Sequence, residues 1–345
     1  MHVTPPALGY ADLDPAQVVD TLADLGLAPD GRLLQLNSYE NRVFQAFVDD
    51  GTAVVAKFYR PGRWSDAQIL EEHAFAHELA AAEVPVVAPL VIAPDAQRVQ
   101  GLGTPATLGV FEHGGVRHRV AVYPRAAGRA PNLEDPQTMT WLGRFLGRLH
   151  AVGTQGRFAQ RRVLDVATYG DASLAALRAA TTLEAGPDAA WEAACDEALE
   201  GVRAAFDRLR GTASLRLHGD CHPGNILWRE EGPHIVDLDD ACTGPAIQDL
   251  WMLLSGNEDQ QRSALNALLS GYRMFMRFDE RQLALIEPLR TLRMIHHSAW
   301  LASRWHDPAF PIAFPWFGHA SYWAQQTTQL REQIAAMAEP PLMLY

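Results

Sequence analysis

Three cysteines, Cys195, Cys221 and Cys242, are all that 345 residues contain. Their number is odd and their spacing scattered, so no disulfide framework is implied and a reducing compartment is expected. No apolar run reaches the roughly eighteen residues that a membrane-crossing helix needs. The opening Met1-His2-Val3-Thr4-Pro5-Pro6 has neither the basic nor the apolar region of a signal peptide. These absences point to a cytoplasmic protein with no membrane partner. Positive charge is also short, with 29 Lys and Arg against 41 Asp and Glu and a net charge of −12. A nucleic-acid-coating role usually needs a basic face, so no nucleic-acid partner is expected. Internal repeats, charge blocks and low-complexity tracts are missing too. What remains, 48% hydrophobic and 20% charged residues, is ordinary globular composition in a chain long enough for two cores.

The most informative stretch is residues 217–240, L-H-G-D-C-H-P-G-N-I-L-W-R-E-E-G-P-H-I-V-D-L-D-D. Phosphoryl transfer asks for a carboxylate to orient the attacking hydroxyl and hard oxygen ligands for magnesium on a triphosphate. Asp220-x4-Asn225 reproduces the interval between the base Asp and the Asn of a kinase catalytic loop. Pro223-Gly224 keeps the interval out of a helix, so both side chains can project from a loop. Ile226-Leu227-Trp228 and Ile235-Val236 flank the turn Glu230-Glu231-Gly232-Pro233 and predict a hairpin. That hairpin would carry Asp237 back beside Asn225, so that oxygen ligands from two loops converge on a metal. Single Asp and Asn residues often do no more than cap turns, but the combination of H-G-D-x-H-x-x-N with I-V-D-x-D-D is far more demanding. A zinc reading of His218, Cys221 and His222 is disfavoured, because Pro223 and the missing intervening Glu do not suit a zinc-protease helix.

This stretch resembles the catalytic loop of the aminoglycoside phosphotransferase and choline kinase superfamily, a branch of the protein-kinase-like fold. H-G-D-C-H-x-G-N-I-L-W-R, V-D-L-D-D-A and G-P-A-x-Q-D-L-W-M-L-L are similar, more narrowly, to the bacterial stress response kinase A family, through nearly the whole chain. The resemblance implies an α+β, bilobal protein-kinase-like fold with a strand-rich N-terminal lobe and a helical C-terminal lobe. It also implies ATP as co-substrate with Mg2+, and serine or threonine in proteins, the enzyme itself included, as acceptor. Asp249 resembles the Asp of this superfamily that braces the catalytic loop, though it could simply cap its helix.

Taken in order, Asp14-Pro15 opens a short amphipathic helix closed by Gly26, expected on the outside of the first lobe. Residues 32–36 and 42–48 read as strands around Asn37-Ser38-Tyr39-Glu40-Asn41. Kinases place a glycine-rich phosphate loop here, and this one has no glycine. Backbone N–H groups and the Ser38 hydroxyl could cover phosphates instead, as the resemblance implies, or the segment is a plain turn. Residues 52–59 form a strand with Lys57 among apolar neighbours. A lysine in a strand is usually an edge residue, but one ahead of Asp220 in this order is a candidate phosphate ligand. Its expected partner is Glu72, chosen by resemblance over Glu71 and Glu78 on the helix beginning near Ser65-Asp66.

Residues 84–91, 107–112 and 118–123 read as strands. The last leads into Pro124-Arg125-Ala126-Ala127-Gly128-Arg129, where the lobes should join and adenine should meet backbone around Val122 and Tyr123. The expected division is therefore 1–123 and 124–345, with a hinge at 122–129. Residues 138–150 form an amphipathic helix ending in a buried His150. Residues 171–210 read as helices around a break at Gly186-Pro187. The short segment 241–247 leaves no long activation loop, and the aromatic stretch 300–323 can seat an irregular segment or line a cleft. Two functions stay open for a monomeric enzyme: a Ser/Thr protein kinase, or a kinase for a small alcohol of the aminoglycoside, choline or homoserine type. A nucleotide-binding module without catalysis would be expected to lack Asp220, Asn225, Asp237 or Lys57.

Overall fold

The computed structural model describes residues 13–92, 100–113 and 115–344. The opening residues, on which the reading of a missing signal peptide falls, lie outside them. In chain order the elements are α1 (Pro15–Asp24), β1 (Pro29–Leu36), β2 (Arg42–Val48), β3 (Ala53–Phe58), α2 (Asp66–Ala81), β4 (Gln100–Leu102), β5 (Leu108–His113) and β6 (Val116–Pro124). There follow α3 (Pro136–Gly153), α4 (Ala172–Ala179), α5 (Ala189–Arg208), β7 (Leu215–Leu217), β8 (Ile226–Arg229), β9 (Gly232–Ile235) and β10 (Cys242–Gly244). The chain ends with α6 (Gln248–Trp251), α7 (Glu258–Tyr272), α8 (Ile286–Arg304), α9 (Ala309–Ala313) and α10 (Ala320–Ala338). It divides into two compact units: Met1–Arg129 with Leu227–Asp239, and Ala130–Ile226 with Asp240–Tyr345.

The first unit is built on an antiparallel sheet ordered β1-β2-β3-β6-β5-β4. Successive side chains of a strand face opposite ways, and β3 uses both faces. Val54, Ala56 and Phe58 join Phe44, Ala46, Val120 and Val122 in one core, where Phe58 meets the Phe44 ring edge-on at 6.0 Å. Val18, Leu22 and Leu25 of α1 belong to that same core, so the helix is built into the unit rather than laid outside it. Lys57 points to the other face, in register with Ala121 of β6. Helix α2 starts at a capping box, in which Ser65 and Gln68 exchange side-chain and backbone hydrogen bonds, as the sequence Ser65-Asp66 leads one to expect.

Residues 84–91 are not a strand. Pro85 and Pro89 remove two backbone donors, and what survives is a single parallel bridge from Val86 to Ile235 and a hydrogen bond from Leu90 N to Val122 O at 2.6 Å. The hairpin β8–β9 groups from Leu227 onward with the first unit, although the expected division placed it in the second. Its anchors are the Val86–Ile235 bridge and an Arg129–Trp228 bridge, both distant in sequence.

The second unit is helical. Helices α3 and α7 cross through glycines: a Cβ on Gly143 would fall 1.8 Å from the Leu268 carbonyl oxygen, and one on Gly271 would fall 1.9 Å from that of Thr140. Only a missing side chain permits this approach. The aromatic stretch seats α9 and α10 on the helical core, with Trp323 edge-on to Trp191 at 5.2 Å and its indole N–H donating to Ala185 O at 2.7 Å. Among the described residues no helix is long and apolar enough to cross a membrane.

Candidate active site

The second unit supplies the loop 218–225. Strand β7 pairs antiparallel with β10, Leu217 opposite Cys242, and the chain leaves β7 through Gly219. That residue has φ +86, and a Cβ there would lie 2.2 Å from the Asp240 carbonyl oxygen, so the glycine of H-G-D is required on both counts. Asp249, fully buried at the start of α6, accepts the backbone N–H of His218 at Oδ2 and of Gly219 at Oδ1, each at 2.8 Å. It does not cap its own helix. His150 holds Asp249 in turn, with Nε2 3.0 Å from Oδ2, while Nδ1 is 2.9 Å from the Tyr272 hydroxyl. Burial pushes the Asp249 pKa up, but the His150 hydrogen bond and charge, the His218 charge and the Gly219 amide outweigh it, so the pKa falls below the usual carboxylate value.

On this brace the loop presents its two polar side chains. Asn225 donates from Nδ2 to Asp220 O at 2.9 Å, which fixes the amide and leaves Oδ1 as a directed acceptor. Asp220 is three-quarters buried, accepts from the Arg293 guanidinium of α8, and has His222 Nε2 3.5 Å from its Oδ2. Cys221 is fully buried and burial drives its thiol pKa far above normal. Among the described residues no cluster of three or more His, Cys, Asp or Glu could hold a metal.

The first unit carries a buried cation of its own. Lys57 Nζ lies 2.8 Å from Asp237 Oδ1 and 3.3 Å from Asp239 Oδ1. Burial lowers the lysine's pKa, yet Asp237 and Asp239, with smaller contributions from Tyr123 and Glu72, lift it well above the usual value. The ammonium form is therefore the favoured one. Of the three glutamates on α2, Glu72 is buried, Glu71 half-buried and Glu78 exposed. Asp237 sits at φ +60, in the left-handed region that few non-glycine residues adopt, with half its side chain open to solvent.

Asp239 is nearly inaccessible, and its Oδ2 accepts from Asn41 Nδ2 at 2.9 Å and from Arg63 Nη1 at 2.7 Å. Asn41 ends the loop 37–41 and accepts the Arg60 N–H at Oδ1, 3.1 Å away. Arg60 also donates to the carbonyls of Glu40 and Tyr39. Ser38 is exposed, and its Oγ accepts the Asn41 N–H at 3.2 Å. The glycine-free loop is thus closed on itself by Ser38 and tied to Asp239 through Asn41. Beside it, the buried Tyr59 and His73 meet the partly buried Tyr123, with the two hydroxyls 2.9 Å apart and His73 Nε2 2.9 Å from that of Tyr59. Burial holds both phenols neutral. Val122 and Tyr123 lie inside β6, and the Val122 carbonyl takes the Leu90 N–H.

Asn41, Arg63 and Arg293 were not singled out by the sequence pattern, and Asp239 entered it only as part of the I-V-D-x-D-D run. A signal for the lysine was available: Lys57 is the chain's only lysine, every other such cation being arginine. The two are not interchangeable, since lysine is a compact point charge on a flexible stem.

The sequence pattern of the phosphotransferase enzyme family matches residues 32–286. Stress response kinase A of Salmonella typhi is 43% identical over 338 residues, covering 98% of both chains. Stress response kinase A of Escherichia coli K12 and the serine/threonine protein kinase RdoA of Salmonella typhimurium are each 42% identical over the same span and coverage. Among solved structures, amicoumacin kinase hAmiN, in complex with AMP-PNP, Ca2+ and Ami, matches with a TM-score of 0.70 at 18% identity over 96% of each chain. A microcompartment-associated aminopropanol kinase matches at 0.70 and 19%, over 96% of this chain and all of the other. Both share the mixed helix-and-sheet fold.

Proposed function

The chain belongs to the phosphotransferase enzyme family, and from that premise we propose that it transfers the γ-phosphoryl group of ATP, with magnesium, to serine or threonine hydroxyls of proteins, its own among them. Asp220 orients the acceptor hydroxyl and takes its proton as the oxygen attacks the γ-phosphorus. The bond to the β–γ bridging oxygen breaks and its electron pair leaves with ADP. Lys57 holds the nucleotide phosphates; it pairs in this structure with Asp237 and Asp239 in place of the expected Glu72, which adds its charge from farther off. Loop 37–41 covers them with backbone N–H groups and Ser38. Adenine meets the backbone around Val122 and Tyr123. Asn225 and Asp237 are the magnesium ligands: both offer hard oxygen, Asn225 with its Oδ1 left free by the Nδ2 bond and Asp237 half open to solvent. The metal, when bound, neutralises charge on the phosphates.

The observation that carries the chemistry is the Asp220–Asn225 loop held rigid by Asp249. The protein acceptor rests on identity above 40% across almost the full length to kinases, one of them named a serine/threonine protein kinase. A second reading, a kinase for a small alcohol, is favoured by the short run between Asp240 and α6, which leaves no long activation segment to present a protein substrate. Purified protein incubated with labelled ATP and magnesium separates the two, with Asp237→Asn protein as blank. Label on protein Ser or Thr is expected. Label entering only choline, homoserine, an aminoglycoside or a sugar would replace this reading with the second.

A further inference from the structure

The acceptor side of Asp220 is cationic. Arg293 of α8 donates to Asp220 Oδ1 while nearly half of its side chain stays open to solvent. Four residues on, and therefore on the same helix face, stands His297. Packing around its ring and the Arg293 charge lower its pKa, against the opposing pull of the Asp220 carboxylate. The imidazole is thus neutral near pH 7 and responds to both charged groups. His297 also lines a cavity of about 370 Å3 in the same unit, together with Trp316, Tyr322, Gln325, Gln326 and Gln329. None of the residues lining it is acidic. The carboxylate of Glu184 approaches His319 there, 3.2 Å from Nδ1, and so is already engaged by a side chain. Trp316 is 48% exposed, an apolar surface that faces open space.

A site for an amino alcohol would need carboxylates to replace the hydration of an ammonium, because an unpaired charge is costly to desolvate. Here a guanidinium occupies the position beside the base, and amides, a serine, an aromatic pair and two imidazoles, those of His297 and His319, line the space next to it. Resting on the protein-acceptor reading, we propose that Arg293 sets the charge preference of the acceptor, selecting a hydroxyl flanked by an acidic residue and rejecting one flanked by a cation. Its guanidinium holds Asp220 Oδ1, so that Oδ2, with His222 Nε2 3.5 Å away, meets the incoming hydroxyl, and it pairs with the flanking carboxylate. The neighbouring side chain of the acceptor lies against Trp316 and Tyr322, with the glutamines meeting its backbone.

The test uses full-length protein and three serine peptides that differ only in the residue beside the serine, Asp, Gln or Lys, together with choline and glycerate as small alcohols of opposite charge. One unit charge met at close range in a partly exposed site should spread kcat/KM by about tenfold or more. Wild type should rank Asp over Gln over Lys, Arg293→Gln should collapse the spread, and Arg293→Glu should invert it. Thermal melting shows that each variant is folded, and the charge-neutral Gln peptide gives the reference rate for each. A mere loss of structure would lower all three peptides together and could not reverse their order. Peptides phosphorylated without regard to flanking charge, or an order unchanged in both variants, would overturn the role of Arg293 and leave the protein-kinase reading standing. Glycerate used over choline, with the same dependence on Arg293 and no peptide labelled, would support the charge preference and remove the protein acceptor. Choline phosphorylated efficiently by the wild type would end both.

Discussion

At the scale of single residues the two halves of the chemistry separate cleanly. On the proposed mechanism Asp220 faces the acceptor and Lys57 the nucleotide. General-base assistance contributes about 10² to 10⁴-fold, so Asp220→Ala should lower the single-turnover rate by that order while the ATP dissociation constant, read by calorimetry, changes little. Asp239 should behave in the opposite way. It touches no acceptor, but its Oδ2 gathers Asn41 and Arg63 and so holds the end of loop 37–41. A hydrogen bond to a charged group contributes about 1.5–3 kcal/mol, and Asp239→Asn should raise the KM for ATP by roughly tenfold or more with a smaller change in kcat. An unchanged KM would mean that the loop keeps its shape without this tie. Asp220, Asn225 and Asp237 are proposed from spacing, because one turn and one hairpin enclose them. Asn41, Arg63 and Arg293 could not be: their partners lie 198, 176 and 73 residues away, and an arginine or asparagine with a distant partner looks in sequence like any solvated polar residue.

Elements show the same division between local and distant causes. Strands β2, β3, β5 and β6 and helices α2 and α3 were legible because alternation, caps and helical spacing act within a few residues. Residues 84–91 have the apolar content of a strand and fail as one because two prolines interrupt the donors. The crossing of α3 and α7 was not legible, since a glycine in a helix announces nothing until the opposing backbone is known. Gly143→Ala should destabilise the protein by at least about 1–3 kcal/mol, the usual range for overpacking, in urea melts. Gly186→Ala, where a Cβ meets nothing within 4 Å, should be nearly neutral. Asp249 ties α3, α6 and the catalytic loop together and gives this arrangement a pH signature. Its lowered pKa means that the ionised form adds stability in full above the ordinary Asp value near 4, and that this stability is lost as pH falls through the lower native value. Asp249→Asn should therefore be less stable at pH 7, and its stability should fall less steeply than wild type below about pH 4. Parallel slopes in a pH series of denaturant melts would show that folding leaves the Asp249 pKa unshifted.

On the scale of the whole molecule, sequence order suggested a division near Tyr123, and the hairpin shows why order is a poor guide: residues 227–239 follow the catalytic loop in the chain yet belong to the first unit. The cysteines all fall in the second unit, at Cys195, Cys221 and Cys242, and all are buried. Burial pushes Cys195 up to about 12 and also raises the other two. Native protein should resist alkylation at neutral pH until that unit opens. Labelling that follows the urea unfolding curve is expected, and rapid labelling of any one thiol in native buffer would show a local opening. The single lysine gives the other unit a handle of its own. Apart from the α-amino group, an acylating reagent has one amine to find, at Nζ of Lys57, one-tenth exposed between two carboxylates. One protein thus carries two orthogonal reporters, a lone amine for one unit and three thiols for the other. Mass spectrometry of a doubly labelled sample can time the opening of each unit in the same tube, with no engineered substitution.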